Sequence, residues 1–366
     1  MCKRKPMQQR VRHVIARHPN ILAFLVGCLL VVVLFGGLET FLRVRVWLAT
    51  EPGEGPARSN LYDMVEAHPV LGYRAKTSTT LTELLTRGGK VIYTADYDID
   101  AHSQRVTPFS HDDAEHDCAA VFLGCSMTFG LGVENADTLP AQFAARTTGY
   151  WPVNAGFPGY GLQQVWLHLT DAAFFANIPF DEGVVIYTFI DDHINRLAGV
   201  PAVLTGWNYA LPWLVEKEDQ IEHSGTFATR NPLQYYIYRY GGRLHLYRFF
   251  ESRVSRPTST TAYTPDMLDL AARVIVDGAE KLRDLRPGFQ LWVLFFPGTA
   301  LSAEMQERLE STGVQCLDYS ELLNDTDIPD ERLWHKDSAG AEWGHPKAEV
   351  YAVVAEQMTA DIPDCE

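Results

Sequence analysis

The sequence predicts an α/β domain on a parallel sheet, placed behind one apolar N-terminal helix. Three observations carry this. From Ala119 on, short continuous apolar runs alternate with stretches of helical length. Ile21–Leu38 (ILAFLVGCLLVVVLFGGL) is 18 residues without a charge. The net charge of −15 is also split: through Thr50 there are eight basic residues and one acid, Glu39, giving +7, and the remainder, with 23 basic and 45 acidic residues, is −22.

Composition sets the outer limits. With 46% hydrophobic and 21% charged residues among 366, the chain is globular rather than disordered. A −22 body is poorly suited to gripping phosphate backbones, so nucleic acid is not an expected partner.

Taken in order, residues 1–20 form a basic leader and residues 21–42 the expected transmembrane signal anchor. Eighteen residues give about 27 Å of helix, close to the ~30 Å hydrocarbon core, and Thr40–Leu42 extends it. Six Lys/Arg precede the run and hold the leader in the cytoplasm, so the acidic body faces outward. No A-x-A-like cleavage site follows, which reads as an uncleaved anchor. The alternative is a lipoprotein signal at Leu25-Val26-Gly27-Cys28, with Cys28 acylated, although the apolar run continues past it. Either way the lipid bilayer is a partner, and the body is tethered to the outer face of the same membrane.

Residues 43–60 are polar and Pro/Gly-rich, as in a stalk. Residues 61–117 form a strand-rich lead-in with a hairpin: Leu81–Leu85, the turn Arg87-Gly88-Gly89-Lys90, then Val91–Ile99. The expected sheet strands are Ala119–Leu123, Trp151–Ala155, Gly183–Ile190, Leu291–Phe296 and Val314–Asp318. Helical stretches are expected at Leu139–Thr147, Gly161–Ala176, Pro265–Leu285, Ala303–Ser311 and Lys347–Thr359. Apolar strands alternating with helices imply a sheet covered on both faces. The aromatic-rich interval 201–263 interrupts the alternation, either as packing or as a cap over a cleft. Arg239, Arg243, Arg248, Arg253 and Arg256 lie in it or beside it, facing solvent, an anionic substrate or membrane headgroups.

Six cysteines in this length do not make a disulfide scaffold. Cys118, Cys125, Cys316 and Cys365 allow three pairings if all are bridged, and each reads equally well as a small buried hydrophobe. No C-x-x-C and no metal-ligand spacing occurs, so no metal or organic cofactor is expected.

Ligands of open parallel sheets bind beyond the carboxyl ends of the strands, and three polar segments fall there. Gly124-Cys125-Ser126-Met127-Thr128-Phe129-Gly130 puts a hydroxyl at a strand-to-helix turn, where free N–H groups can meet an oxyanion; Ser126 also reads as an ordinary helix cap. Asn154-Ala155-Gly156-Phe157-Pro158-Gly159-Tyr160-Gly161 is a tight loop in which Gly156 can offer a backbone N–H. Asp191-Asp192-His193-Ile194-Asn195-Arg196 follows the third strand. Near the C-terminus, Glu342-Trp343-Gly344-His345-Pro346 sets an acid three residues before a histidine, a spacing that can orient a general base.

Together these segments resemble the SGNH (GDSL-type) hydrolase family. GCSMTFG is similar to its G-D-S-x-T-x-G block, Gly156 stands where its second block supplies a glycine, and Glu342-Trp343-Gly344-His345-Pro346 is similar to its D-x-x-H-P block. The resemblance covers Ala119 to the C-terminus apart from the aromatic interval, and a membrane-anchored bacterial subset with an N-x-G-x-P-G-Y-G block looks closest. It implies a flavodoxin-like three-layer α/β/α sandwich with a parallel sheet and a Ser–His–acid esterase. Ser126 is then the nucleophile, His345 the base and Glu342 its orienting acid, with Asp337 as fallback. The N–H groups of Ser126 and Gly156 receive the oxyanion.

Three departures from the family pattern stand out. Cys125 replaces the first-block Asp and is a rival nucleophile. Glu342 replaces the triad Asp. The third-block Asn aligns with Asp191 or Asp192, acceptor-only carboxylates that repel an oxyanion, leaving His193 or Asn195 as donors. The expectation is a membrane-anchored serine esterase or acyltransferase on the periplasmic or extracytoplasmic side of a bacterial inner membrane. Compartment and resemblance point to O-acetyl groups on cell-surface or secreted glycans as substrate. The alternative is a catalytically impaired glycan-binding or envelope-assembly protein.

Overall fold

The computed structural model describes residues 19–49, 57–109, 116–200, 203–204, 210–218, 220–254, 263–336 and 342–365, with backbone alone for 19, 21–22, 49, 251–254 and 342–343. The chain forms two compact units: residues 1–51 with 240–257, and residues 52–239 with 258–366.

In the first unit, a helix spans Pro19–Ala49. Its segment Ala23–Leu48, with a mean hydropathy of 2.3 over an 18-residue window, is long and apolar enough to cross a membrane. Residues 43–49, expected to belong to a stalk, are helical. Arg43–Leu48 contains no helix breaker, and the first ones come at Pro52 and Gly53. The unit also holds the helix His245–Val254.

The second unit opens with β1 (Val65–His68) and β2 (Gly72–Ala75), an antiparallel pair, followed by β3 (Thr79–Arg87) and β4 (Lys90–Ile99). The expected hairpin turn is there: Gly88 and Gly89 take φ of 57° and 81°, the two positive values a two-residue turn matched to strand twist requires. Next come β5 (Cys118–Leu123), β6 (Tyr150–Asn154) and β7 (Glu182–Phe189). The aromatic interval contributes an antiparallel hairpin, β8 (Pro212–Lys217) and β9 (Gln220–Thr226), whose Trp213 packs edge-on at 4.3 Å against Phe227. β10 (Gly288–Phe295) and β11 (Gln315–Asp318) complete a five-stranded parallel sheet in the spatial order β11-β10-β7-β5-β6. This is the flavodoxin-like order, with its switch point between β5 and β7.

Strand alternation explains the two covered faces. Ala119, Val121 and Leu123 enter one core, with helices Leu162–Leu169, Pro265–Leu285 and Ser302–Leu309. Cys118, Ala120 and Phe122 enter the other, with helices Leu139–Ala144 and Ala348–Asp361. The expected helix Gly161–Ala176 is two helices, Leu162–Leu169 and Ala172–Phe175, because the Asp171 carboxylate accepts the Ala173 N–H at 2.8 Å and restarts the chain.

The lead-in packs as a third core against the loops that follow β5 and β6. Met64, Leu85, Tyr93 and Tyr97 meet Phe129, Leu131, Phe157 and Tyr160. Arg105 bridges backbone to Ile99 on one side and Asn154 on the other, which appends the hairpin to the β6 edge of the sheet. One cysteine pairing is selected, Cys118–Cys365, while Cys125, Cys316 and Cys28 are free.

Candidate active site

The site begins at the carboxyl end of β5. Gly124 has φ +148°, and a Cβ there would sit 2.3 Å from Thr128 Oγ1, so the turn admits only glycine. Ser126 is the first residue of a one-turn helix, Ser126–Phe129, ended by Gly130 at φ 81°. The first-turn N–H groups of such a helix have no partner within it.

His345 reaches this serine from the other end of the chain. It lies in β13 (Glu342–Pro346), which pairs antiparallel with β12 (Trp334–Lys336). His345 Nε2 is 2.9 Å from Ser126 Oγ, a distance at which the hydroxyl can donate to an unprotonated imidazole nitrogen. Of Glu342 only the backbone is described, opposite Lys336, and Asp337 lies outside the described residues.

Ser126 and His345 share a cavity of about 600 Å³ whose opposite wall is the lead-in, through Tyr73, Glu83 and Tyr93 among others. Glu83 is 1% exposed, and its carboxylate accepts from Tyr97 at 2.6 Å, Tyr93 at 3.2 Å and Ser59. Tyr97 in turn accepts the Gly132 N–H at 2.9 Å, which ties this wall to the loop that follows Ser126.

Arg196 also lines the cavity. It donates to Asp192 at 2.8 Å and to the Tyr160 carbonyl at 2.6 Å. Burial opposes its charge, but Cys125 and Asp192 outweigh that and raise its pKa. A held cation on the wall of the cavity that Ser126 lines was missed at the sequence level; the only signal was the Asp192/Arg196 spacing, that of an i,i+4 helix pair.

The other expected oxyanion residues are placed differently. Gly156 donates its N–H to Asn154 Oδ1 at 3.2 Å, so that donor is engaged. Glycine is needed there for close approach, since a Cβ would fall 2.5 Å from Thr128 Cβ and 2.8 Å from the Phe129 nitrogen. Neither Asp191, Asp192, His193 nor Asn195 lines the cavity. Asp191 accepts the N–H groups of Ala300 and Leu301 at 2.9 and 3.1 Å; burial raises its pKa against the pull of those bonds. Asp192 holds Arg196. The repulsive carboxylate expected at the oxyanion position is thus spent on the β10 loop and on a cation.

His193 is 0% exposed, bonded to the Tyr187 hydroxyl at 2.8 Å and stacked on that ring. Burial first, then Arg196, pushes its pKa well below 6.5, so it stays neutral. Asn195 donates to the Tyr263 hydroxyl at 3.2 Å. Cys125 is also 0% exposed, with Sγ 4.0 Å from Ser126 Oγ, and does not line the cavity. Among the described residues no group of three or more His, Cys, Asp or Glu could hold a metal ion.

Three features stand together: a flavodoxin-like strand order, a serine after the first sheet strand and a histidine ahead of the last helix. They are the arrangement expected from the SGNH-like motifs of the sequence. Solved structures similar to the chain include a G-D-S-L family lipolytic protein from Desulfitobacterium hafniense DCB-2, at 16% identity and TM-score 0.36, covering 67% of this chain and 99% of that one. An acetyl xylan esterase from Butyrivibrio proteoclasticus matches at 10% identity and TM-score 0.36, covering 76% and 73%. A phospholipase A1 from Streptomyces albidoflavus NA297 matches at 14% identity and TM-score 0.34, covering 66% and 98%. No protein-family model and no curated protein sequence matches the chain.

Proposed function

We propose that the protein is a membrane-anchored serine esterase, or an acyltransferase using the same acyl-enzyme, acting outside the cytoplasmic membrane. The observation that carries the reading is the 2.9 Å approach of His345 Nε2 to Ser126 Oγ at the mouth of a cavity. Ser126 Oγ attacks the ester carbonyl and gives its proton to His345. The ester C–O bond then breaks, and the alcohol leaves with that proton. Water deprotonated by His345 attacks the acyl-enzyme, releases the carboxylic acid and restores Ser126; in the transferase variant an acceptor hydroxyl takes the place of water. Glu342 orients the imidazole, with Asp337 as the other acid in range of the sequence. The Ser126 N–H and the Arg196 cation face the developing oxyanion.

For substrate we infer a short acyl ester on a cell-surface or secreted glycan. A cleft that mixes tyrosine faces (Tyr62, Tyr73, Tyr93) with Glu66, Glu83 and Arg196 suits a ligand with apolar ring faces and hydroxyl edges. The purified protein is expected to hydrolyse a short-chain aryl acetate and to label with a fluorophosphonate at Ser126. Unchanged hydrolysis in Ser126→Ala would overturn the assignment.

A second reading is favoured by the engaged Gly156 N–H, which leaves fewer oxyanion donors. It is a glycan-binding or envelope-assembly module without turnover. Glycan binding with no probe labelling at Ser126 would select it.

A further inference from the structure

The first unit places a second element at the end of the apolar helix. Glu39 is the lone acid in the first 50 residues and lies about 27 Å along the helix from Ile21, at the outer boundary of a hydrocarbon core. A carboxylate at that depth needs partners. It accepts the N–H groups of His245 at 3.0 Å and Leu246 at 2.8 Å, the open end of the helix His245–Val254, and the Arg43 Nε–H at 2.7 Å. Arg43 also donates to the Arg243 carbonyl at 3.3 Å. The carboxylate thus fixes the start of this helix at the level where the apolar run ends.

The surface at that level has the makeup of a lipid interface. Leu246 is buried, whereas Leu244, Phe250 and Tyr240 are exposed, as is Trp47 on the anchoring helix. Arg243 and Arg248 stand among them in solvent. Residues 239–256 carry five arginines and one acid, in a body that is otherwise strongly acidic. Exposed aromatic and aliphatic side chains mixed with arginine, at the end of a span, are the chemistry of an interfacial helix.

We propose that Tyr240–Val254 is a second membrane contact, seated on the outer leaflet with Leu244 and Phe250 in the acyl boundary and Arg243 and Arg248 on anionic headgroups. The proposal rests on residues 21–42 spanning the bilayer. Its test is built so that the two can fail separately.

The full-length protein, with Cys2, Cys28, Cys125 and Cys316 changed to alanine, is placed in nanodiscs of phosphatidylcholine with or without phosphatidylglycerol. An environment-sensitive fluorophore is attached at Phe250→Cys, at Val32→Cys in the span, or at Glu307→Cys on the exposed face of the second unit. Doxyl lipids then report depth. At position 250, shallow-doxyl quenching is expected at least twice that at 307, rising with phosphatidylglycerol and falling by half or more in Arg243→Glu/Arg248→Glu. Glu39→Ala is expected to lower it at 250 and leave 32 unchanged. Quenching at 250 equal to that at 307, with 32 still quenched by deep doxyl groups, overturns the interfacial helix and leaves the span standing. No quenching at 32 overturns both. Equal quenching at 250 in neutral and anionic discs overturns the headgroup assignment.

Discussion

Arg105, in the lead-in, donates to the carbonyls of Phe129 and Gly130 at 2.7 and 2.6 Å and so grips the end of the one-turn helix that carries Ser126. The same guanidinium, 2% exposed, reaches the Val133 carbonyl at 2.7 Å and lies 4.5 Å over the Tyr97 ring. Burial pulls its pKa down to about 10, still well above neutrality. The segment upstream of the sheet is therefore a clamp on the turn that carries Ser126. Arg105→Met removes the donors and leaves buried carbonyls unmatched, at a cost of about 3–5 kcal/mol. Urea unfolding is expected to show that loss, and kcat at a permissive temperature to fall with little change in KM.

Ser126→Ala and His345→Ala are each expected to lower hydrolysis by on the order of 10⁴-fold or more, and the double variant little further, because the two act as a unit. Glu342→Gln and Asp337→Asn separate the two candidate acids. The variant with the larger drop in kcat identifies the partner of His345.

Asp191 clasps the backbone of the loop that follows β10. Asp191→Asn, which keeps one acceptor oxygen, is expected to cost about 1–2 kcal/mol of stability and to leave kcat within a few-fold. A gain of tenfold or more in kcat would instead mean that the carboxylate had been repelling the oxyanion.

The Cys118–Cys365 bond closes a separation of 247 residues, tying the first strand of the sheet to the C-terminus. Reduction, or Cys365→Ala, is expected to lower stability by up to about 5 kcal/mol through the loop entropy of the unfolded chain. Activity well below the melting range is expected to persist, since the bond lies away from Ser126.

Acid should weaken the fold through buried histidines. Burial holds His168 and His335 at about 4 and pushes His193 well below its ordinary value, against 6.5 when unfolded. Between those values the unfolded chain binds the extra protons. The stability contribution is therefore full above pH 6.5 and is lost as pH falls toward 4, by up to about 1.4 kcal/mol per histidine per pH unit. A melting temperature that is flat from pH 7 to pH 4.5 would contradict this.

Much of the architecture was legible because it is periodic. All five sheet strands lie within three residues of their apolar runs, Pro265–Leu285 coincides with its helix, and the Gly88-Gly89 turn follows from its residues alone. Local rules also misled where a tertiary partner won. The Asp171 cap split one expected helix in two. Asp191 and Asp192, adjacent to the third strand, gave no local sign that the β10 loop and Arg196 hold them. Arg105 and Glu83 carried no local signal, since a buried ion in or just after a hairpin reads as a surface residue until its partners are known.

The sequence by itself determined the apolar N-terminal helix, the +7 to −22 charge partition, the alternating strands and helices, and the motifs that contain Ser126 and His345. These are set by composition and by periods of two and 3.6, which any short window of chain contains. The tertiary structure alone decided that residues 219 apart meet at 2.9 Å, which cysteines pair, and that Arg196 rather than Asp191 faces the cavity. Those are contacts between distant segments. They are fixed by how the sheet and its covering layers close on one another, and no local pattern encodes that closure.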